Sequence, residues 1–539
     1  MATTIKHEIE TWDTFHNNGP FPTRVLYETF PEPKSNMPSV TNRYNDAAAE
    51  IQQLLKSALD NRQGFRAYGS AWSMSHIAHQ KHNMHFNAAM NLKMAVSANE
   101  LHPNTNYSNE NLFLFQCGNI IKEISGFLFN NGKSLKATGA SNGQTIAGCI
   151  STGVHGSALY TGAFQDSVVG INLIIGDNPA DIVYIEKHTK PALNDVFANR
   201  IKARVIRNDG LFNAVLVGLG SFGFIHGVVM EVEDRFLLNR YVKKIHKDKA
   251  LHLAETLAFE DSDFIIPGET DATGKPNRPF HYKIFINPYV NDAEYVVEVM
   301  YKKPYRSNYP DPIPLIKTAI YRDLILLFTH IAEKFKNSIP TLIKFLQKAV
   351  LPPVDLETTG TLAEMFWDAG YQGPAYACSV GVDHKDSVKA LEVLVNLAKT
   401  EGPIPGIYAM RFVKQSGATL AFTKFPVTCM LEIDGLIWNP KTDKLISLQK
   451  FCTRIIEVLQ QNNIPFTQHW GKNADWSFPG LIQHMYGSNA QQWKEYRSAL
   501  LSREQADLFS NDFLDDTGLS EYIPDVPAAL AQSLQTGSF

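Results

Sequence analysis

The stretch that decides the fold runs from Lys136 to Asp177 and reads KATGASNGQTIAGCISTGVHGSALYTGAFQDSVVGINLIIGD. Glycine, serine and threonine crowd its first part, and an apolar run, VVGINLIIG, follows. Small side chains let successive backbone N–H groups converge on phosphate oxygens, and the hydroxyls add donors. The pattern predicts a strand and turns of close backbone approach, followed by a buried strand.

Two further glycine clusters flank this stretch. Residues 64–73 read GFRAYGSAWS, a short strand that runs into a turn, and Gly218–Gly223 read GLGSFG. The second matches G-x-G-x-x-G, but a Rossmann site needs a helix after it and an acid about 20 residues later. AVLV before it and FIHGVVMEV after it both read as strands, so we expect a strand–turn–strand and no NAD site. Neither of the other two clusters ends in the G-K-[ST] of a nucleoside-triphosphate loop, so together the clusters favour a diphosphate cofactor held by loops.

Composition bounds the rest of the chain. Its 539 residues are 44% hydrophobic and 19% charged, with a formal charge of -4, which is typical of a globular protein and disfavours nucleic acid as a partner. At ~150 residues a domain, roughly three to four units or two large ones are expected. The five cysteines form no regular pairs or Cys/His clusters, so neither a disulfide framework nor a metal site is expected. We expect a reduced, soluble, cytoplasmic protein, and MATTIKHEIETWD at the start lacks the apolar segment of a secretory signal.

Two uncharged stretches, Leu211–Met230 and Ile146–Gln165, are long enough to resemble membrane spans. Their glycines and polar residues instead favour buried sheet with tight turns. Helices are predicted over 46–59 and 120–130 by apolar periodicity. Beyond about Arg240, strands alternate with helices over 387–399 and 448–459, which predicts an antiparallel sheet with helices packed on one side.

The segment 311–353 is bounded by prolines and reads as helical, with apolar runs such as LILLF. An amphipathic helix pair packed on the second domain is the plain interpretation. A lid over an apolar substrate, or peripheral contact with a membrane surface, is the alternative.

The ordered motifs resemble those of a known family. The clusters at 64–73 and 136–177, with Val215–Val232, look like the FAD-contacting segments of vanillyl-alcohol-oxidase-type (PCMH-type) flavoproteins. Gln468-His469-Trp470-Gly471-Lys472 resembles the His-Trp-x-Lys motif of the sugar-lactone and alditol oxidase branch, and residues 493–519 resemble its final segment. The similarity covers roughly 46–234 and 404–519, and residues 304–368 match nothing recognisable.

The resemblance implies an α+β fold, with a two-subdomain FAD-binding domain and a cap domain built on an antiparallel sheet with flanking helices. It implies that residues 1–237 form the first part of the FAD domain and 238–465 the cap, with a helical insertion over 304–368. Residues 466–539 would return to the FAD domain. It further implies that FAD is contacted by Tyr68, Gly69, Ser70, Ala71, Trp72, Ser73, Gly139, Ser141, Thr145, Gly148, Ser151, Thr152, His155, Gly156, Gly218, Gly223 and Ile225.

Two departures from the family pattern matter. Many members carry a histidine, covalently bound to the flavin, where this chain has Trp72. We therefore expect non-covalent FAD. Cys149 or His155 is the alternative, as a substitute attachment point. Trp72 would either stack on the flavin or pack as a core residue. The branch also carries Glu-x-Arg on a cap strand, and here Ala409-Met410-Arg411 keeps only the arginine. That loss shifts the expected small-molecule substrate from a small polyol towards a bulkier or more apolar alcohol.

The resemblance also implies a chemistry: oxidation of a CH–OH group by hydride transfer to the flavin, followed by reoxidation by oxygen or another acceptor. Lys472 would stabilise charge on the reduced ring, His469 would accept the hydroxyl proton, and Arg411 would orient the substrate oxygen. Proton abstraction or oxidative ring closure on a specialised metabolite is an alternative. A flavin-binding scaffold without turnover is another, since the covalent histidine and the glutamate are both missing.

Overall fold

The structure is a computed structural model that describes residues 2–31, 39–310, 320–366, 374–438 and 445–527, together with Leu530 and Leu534. The N-terminal elements, in chain order, are β1 (Thr3–Glu8), β2 (Thr11–Trp12), β3 (Phe21–Pro22), β4 (Val25–Phe30), α1 (Val40–Asp60), β5 (Phe65–Tyr68), β6 (Asn83–Phe86), β7 (Lys93–Ala95), β8 (Leu112–Gln116), α2 (Ile121–Asn130), β9 (Lys133–Ser134), α3 (Ile146–Ser151), β10 (Val168–Ile174), β11 (Ile182–Glu186), α4 (Asp195–Arg200), β12 (Arg204–Arg207), α5 (Asp209–Leu216), β13 (Phe224–Glu231) and β14 (Glu233–Asp234).

The remaining elements are β15 (Phe236–His246), α6 (Lys247–Thr256), β16 (His281–Ile286), β17 (Glu294–Pro304), α7 (Ile320–Lys334), α8 (Ile339–Val350), β18 (Glu357–Gly360), α9 (Leu362–Met365), β19 (Tyr376–Asp383), α10 (Ser387–Thr400), β20 (Gly406–Lys414), β21 (Val427–Gly435), α11 (Leu448–Gln461), β22 (Phe466–Gln468), α12 (Leu481–Tyr486), α13 (Ser488–Leu500), α14 (Arg503–Leu508) and α15 (Asp512–Asp516).

The N-terminal elements build two sheets that share one core. The four-stranded sheet has the order β1-β4-β6-β5, and the six-stranded sheet has the order β12-β11-β10-β13-β8-β7. Helix α1 buries Ile51 and Leu55 in the same apolar cluster as Ile171 of β10. This cluster excludes water along both sheets, so the loops at the ends of β5 and β10 are held in fixed positions.

The predicted strand before GLGSFG is wrong, because residues 209–216 form helix α5. The Asn208 side chain accepts a hydrogen bond from the Leu211 N–H and caps the first turn of that helix. Trp493 of α13, far along the chain, donates from Nε1 to the carbonyl oxygen of Ala214 at 3.1 Å. The β-branched residues favoured a strand, and the cap with this remote contact overrode that local preference. Strand β13 after the turn agrees with the prediction.

The sheet predicted over 146–165 is also wrong at its start, where Ile146–Ser151 form the short helix α3. The Thr145 carbonyl accepts from the Cys149 N–H at 2.9 Å, and Ile146, Ala147, Cys149 and Ile150 are buried. Among the described residues, no helix combines the length and hydropathy that crossing a bilayer requires.

The second part of the chain builds an eight-stranded antiparallel sheet with the order β18-β15-β17-β16-β20-β21-β19-β22. Helices α6 and α10 pack on it, with α11 beside α10, as the alternation of strands and helices predicted. The sheet begins at Phe236, close to the expected domain boundary, and β22 at the expected start of the C-terminal segment still belongs to it because β22 pairs with β19.

Residues beyond β22 return to the N-terminal sheets. The Asn511 side chain donates to the carbonyl oxygens of Ile77 and His79 at 3.0 and 2.8 Å, and the Arg497 Nε donates to the Ser221 carbonyl at 3.0 Å. These long-range bonds hold the two chain ends together around the site.

The insertion contains helices α7 and α8, which pack against each other and, through α8, against the sheet near β20. The predicted segment 311–319 lies outside the described residues. Phe328 is buried between the helices, whereas Leu327, Phe335 and Phe345 are 53%, 63% and 60% exposed. The expected amphipathic pair is present, and part of its apolar surface stays uncovered.

Candidate cofactor cavity and active site

A cavity of about 490 Å³ lies between the N-terminal sheets and the eight-stranded sheet. It is lined by the two glycine clusters at 69–73 and 139–156, the turn after α5, strands β16, β20 and β21, and the residues after β22. The predicted site residues that line it are Tyr68, Gly69, Ser70, Ala71, Trp72, Ser73, Gly139, Ser141, Thr145, Gly148, Ser151, Thr152, His155, Gly156, Gly223, Ile225, Arg411, His469 and Lys472. Gly218 does not line it; a Cβ there would meet the Val215 carbonyl oxygen at 2.9 Å, so this glycine serves the turn.

Gly69 allows two of the predicted segments to meet. A Cβ at position 69 would lie 1.9 Å from the Thr145 Oγ1, so only glycine permits this approach. The 69–73 turn therefore rests on the start of α3, and both face the cavity.

The turn after Gly69 presents unpaired backbone donors. The N–H groups of Ser70, Ala71, Trp72 and Ser73 donate no hydrogen bond within the described part of the protein. Ala71 holds a φ of 54°, and its carbonyl accepts from the Phe15 N–H at 2.8 Å. A run of free amides that lines a cavity is suited to phosphate oxygens, so this turn fits the pyrophosphate of a dinucleotide.

Arg66, just before this turn, is a buried cation that the sequence analysis did not select. Its guanidinium donates to the carbonyl oxygens of Ile77 (3.0 Å), Gly220 (2.8 Å) and Phe509 (3.1 Å), and no carboxylate pairs with it among the described residues. Burial, with the charge of Arg497, lowers the pKa of Arg66 to about 9. An anion bound in the cavity would offset this charge, and the signal in the sequence was a lone arginine inside an apolar strand.

Trp72 is half-buried at the cavity and packs against an aromatic ring on one face. Its indole ring stacks on Phe15 at 4.2 Å with an interplanar angle of 12°, and Gly143 approaches it so closely that a Cβ would lie 2.7 Å from its ring. Cys149 lines the cavity but is buried, and burial raises the pKa of its thiol, so the thiolate needed for covalent attachment is disfavoured.

The opposite wall of the cavity is formed by charged side chains of the eight-stranded sheet. Lys283 of β16 pairs in register with Arg411 of β20, and Glu432 of β21 lies directly across from Ala409. The Glu432 carboxylate accepts from the Arg411 Nε at 2.7 Å and also from its Nη2, and the two side chains are 3% and 7% exposed. The arginine predicted to orient substrate is thus held by a buried carboxylate on the neighbouring strand.

Three ionisable side chains of this wall, Glu432, Asp434 and Lys283, have shifted pKa values. Burial alone would raise the pKa of Glu432, but the charge and hydrogen bonds of Arg411, with His155, bring it well below its usual range. Asp434 lines the cavity, and desolvation there, together with the Glu432 charge, raises its pKa. Burial and then Arg411 lower the pKa of Lys283. The i, i+2 acids of TCMLEIDGL signalled one polar face, but their register with β20 is not readable from sequence.

The two histidines at the cavity are opposite tautomers. The Gly471 N–H donates to the His469 Nδ1 at 3.1 Å, so that nitrogen carries no proton and the neutral ring has its N–H at Nε2. The His155 Nδ1 lies 2.6 Å from the Gly156 carbonyl oxygen and must donate to it, so its Nε2 is an acceptor. The rings are 5.3 Å apart.

Burial favours the neutral form of both rings. Burial and the charges of Arg411 and Lys472 lower the pKa of His155 to about 3, although Glu432 acts in the opposite sense. Burial, then His155 and Lys472, lower the pKa of His469 well below its usual value. His469 in this tautomer presents an N–H at Nε2 to the cavity, and the base role expected of it stays a prediction.

Lys472 is half-buried at the cavity, and its backbone N–H donates to the His469 carbonyl oxygen at 3.0 Å. Its ammonium group makes no hydrogen bond or ion pair with any side chain in the described ranges, and the Asp434 carboxylate is within electrostatic reach. A cation without a partner at a cavity wall is available to an anionic or electron-rich ligand.

Parts of this chain are similar in sequence to known proteins. No protein-family model matches the chain. The sequence is 26% identical over 219 residues to a D-arabinono-1,4-lactone oxidase of Kluyveromyces lactis, which is 40% of this chain and 36% of that protein. It is 34% identical over 119 residues to L-gulonolactone oxidase 3 of Arabidopsis thaliana, which is 22% of this chain and 17% of that protein. The chain thus matches about a third or less of the length of these curated relatives.

The whole fold has solved counterparts. A crystal structure of cholesterol oxidase from B. sterolicum superposes with a TM-score of 0.63 at 12% identity, covering 96% of this chain and 97% of that one. A solvent-stable cholesterol oxidase gives 0.60 at 12% identity, covering 94% and 97%. The expected α+β architecture with an FAD-type domain and a sheet-based cap is confirmed, and so is the resemblance to the sugar-lactone oxidase branch.

Proposed function

We propose that this protein is an FAD-dependent oxidoreductase that oxidises a CH–OH group of a small molecule. The proposal is carried by a single cavity that holds two sets of groups. One set is Arg66 with the run of unpaired backbone amides at 70–73, and the other is Lys472, Arg411 and the two histidines. The named lactone oxidase relatives support the same chemistry.

FAD, when bound, supplies the acceptor for a hydride, which no side chain can provide. The turn at 69–73 and Arg66 would hold its pyrophosphate, and the small residues at 139–156 leave room for its rings. Lys472 would stabilise the negative charge that builds on the ring system as the hydride arrives. Arg411, fixed by Glu432, would orient the substrate oxygen.

We further propose that FAD is bound without a covalent link. Trp72 cannot form the bond that a histidine forms, and the Cys149 thiol is protonated by burial. His155 uses Nδ1 for a backbone carbonyl, which leaves one ring nitrogen for the cavity.

The substrate proposal changes with the structure. The sequence has Ala409 where related enzymes carry a glutamate, and this loss favoured an apolar alcohol as substrate. In the structure, Glu432 of β21 lies directly across from Ala409 of β20 and supplies a carboxylate there. We therefore expect the end of the substrate near Arg411 to be polar, whatever the rest of the molecule is.

A cytoplasmic location is proposed from the five cysteines, which are all buried and unpaired. Peripheral contact with a membrane is proposed through α7 and α8. Their exposed Leu327, Phe335 and Phe345 lie among exposed lysines, namely Lys334, Lys344 and Lys348.

The test starts with purified protein and added FAD. Yellow protein whose flavin bleaches anaerobically with a polyol, a sugar lactone, a sterol or an aromatic alcohol supports the oxidoreductase proposal. Protein that stays colourless would remove it, and yellow protein that no alcohol reduces would favour a flavin-binding scaffold. Acid precipitation separates the two binding modes, since colour left in the pellet would contradict non-covalent FAD. Peroxide formed under air distinguishes an oxidase from a dehydrogenase.

A further inference from the structure

We infer that His155, held opposite Glu432, accepts the proton of the substrate hydroxyl, and that His469 acts as a hydrogen-bond donor. The inference rests on the proposed alcohol oxidation and deepens it. The acid–base role then belongs to His155 in the glycine-rich segment, which was predicted to contact the cofactor. It does not belong to His469 of the His-Trp-Gly-Lys motif.

The assignment follows from which ring nitrogen each histidine leaves for the cavity. The Gly156 carbonyl oxygen can only accept, so the His155 Nδ1 carries a proton and the Nε2 has a free lone pair. The Gly471 N–H can only donate, so the His469 Nδ1 is bare and the Nε2 carries the proton. A proton acceptor must present a lone pair, and of these two rings His155 does so.

Glu432 gives His155 a means to hold the proton. The His155 Nε2 and the Glu432 Oε1 are 3.8 Å apart and both are acceptors, so they converge on a point that suits an O–H donor. Arg411 fixes both oxygens of the carboxylate, since its Nε donates to Oε2 and its Nη2 donates to Oε1. Once His155 is protonated, the adjacent carboxylate compensates the new positive charge.

The O–H bond breaks and its proton passes to the His155 Nε2. The carbinol C–H bond breaks with its electron pair, which leaves as hydride to the bound flavin, and the oxygen lone pair closes the C=O bond. After product release the proton leaves His155 to water.

The role of Glu432 as a buried structural ion pair alone does not explain this arrangement. An internal pair with Arg411 needs no histidine beside it, and a bare imidazole nitrogen facing a carboxylate is unfavourable unless a donor comes between them. Phe422 packs against both rings, at 5.5 Å from His155 and 5.1 Å from His469, and limits their rotation.

The kinetic test compares His155→Gln with the matched variant His469→Gln in the FAD-loaded protein. We expect His155→Gln to slow anaerobic flavin reduction by about 100-fold or more when the protein is saturated with FAD. Imidazole added to His155→Ala should restore part of the rate, and imidazole added to His469→Ala should not. Glu432→Gln should slow reduction as well, without loss of flavin.

The second measurement does not depend on turnover. Nitrogen-15 spectra of histidine-labelled protein, assigned with the two glutamine variants, should give Nδ1–H for His155 and Nε2–H for His469. The opposite tautomers would overturn the assignment, and so would wild-type rates in His155→Gln or imidazole rescue confined to His469→Ala. A wild type that no alcohol reduces would remove the proposed function itself, whereas these outcomes remove only the role of His155.

Discussion

At the level of single residues, the cavity obtains positive charge in two different ways. Arg66 is buried and bonded to carbonyl oxygens, so its charge is fixed and its geometry cannot change. Lys472 is half-buried, with no ion-pair or hydrogen-bond partner in the described ranges. The first suits a permanent anion such as a pyrophosphate, and the second suits charge that appears during a reaction.

Replacing Lys472 by methionine should slow flavin reduction by about 100-fold, because a fixed cation near developing charge contributes roughly that much. FAD should remain bound, since the Lys472 ammonium makes no hydrogen bond to the 69–73 turn within the described residues and the free amides of that turn are untouched. Rapid-mixing measurements of flavin absorbance under anaerobic conditions check the rate. Lys472→Arg keeps the charge and should lose less; equal rates for Met and wild type would remove the proposed role.

Replacing Arg66 by methionine should weaken FAD binding by about 10-fold or more, because a charged hydrogen-bonding partner of an anion contributes roughly 1.5–3 kcal/mol. Riboflavin, which lacks phosphate, should bind equally well to both proteins. Fluorescence titration of the apoprotein measures the two affinities. Arg66→Lys is the charge-matched control, and a parallel loss of riboflavin binding would indicate disrupted packing instead.

At the level of elements, the helices predicted over 46–59, 120–130, 387–399 and 448–459 are present, but two short helices stand where strands were predicted. Periodic apolar residues located α10 and α11 to within two residues at each end, whereas α1 begins at Val40, six residues before its predicted start at 46. In α5 and α3, glycines and β-branched residues favoured strand, and the helices are fixed by Asn208 and by packing from distant segments. Local pattern reports local preference, and a short buried element depends on its neighbours.

The exposed face of α8 has its own prediction. Lys344, Phe345 and Lys348 lie on one face of the helix, and together they suit an anionic membrane surface. Lys344→Glu with Lys348→Glu should weaken sedimentation with phosphatidylserine vesicles by roughly 30-fold or more, since each lysine near such a surface contributes about 1 kcal/mol. FAD binding should be unchanged.

Val196→Glu is a matched control, because Val196 is an exposed apolar residue on α4, in a different part of the molecule. It should leave vesicle binding as it is. Wild-type protein that does not sediment with anionic vesicles would rule out the membrane contact.

At the level of the whole molecule, the two chain ends and the cap are joined in one core, so stability is shared. Several histidines are buried in it; burial lowers the pKa of His85 and of His226 to about 4, and hydrogen bonds to Asn87 and to Tyr44 offset this only in part. The unfolded chain binds protons at these residues near pH 6.5, whereas the folded chain does not. The contribution of these two neutral histidines to the free energy of unfolding is therefore complete above about pH 6.5 and is lost as the pH falls towards 4.

Acidification from pH 7 to about 5 should lower the free energy of unfolding by about 2 kcal/mol for each of these two histidines, at 1.36 kcal/mol per pH unit below 6.5. Urea unfolding at several pH values measures this slope. His85→Gln should reduce the slope, and an unchanged slope would show that His85 does not contribute.

The sequence by itself determined the order of the glycine clusters and the alternating strands of the cap, and nearly every site residue that it predicted lines the cavity. These properties are local, because turn geometry and apolar period are written in neighbouring residues. The tertiary structure alone decided that Glu432 lies across from Ala409, that Arg66 is a buried cation beside the cavity, and that His155 and His469 present opposite ring nitrogens. Strand register and hydrogen bonds between remote segments set these relations, and no short stretch of sequence contains them.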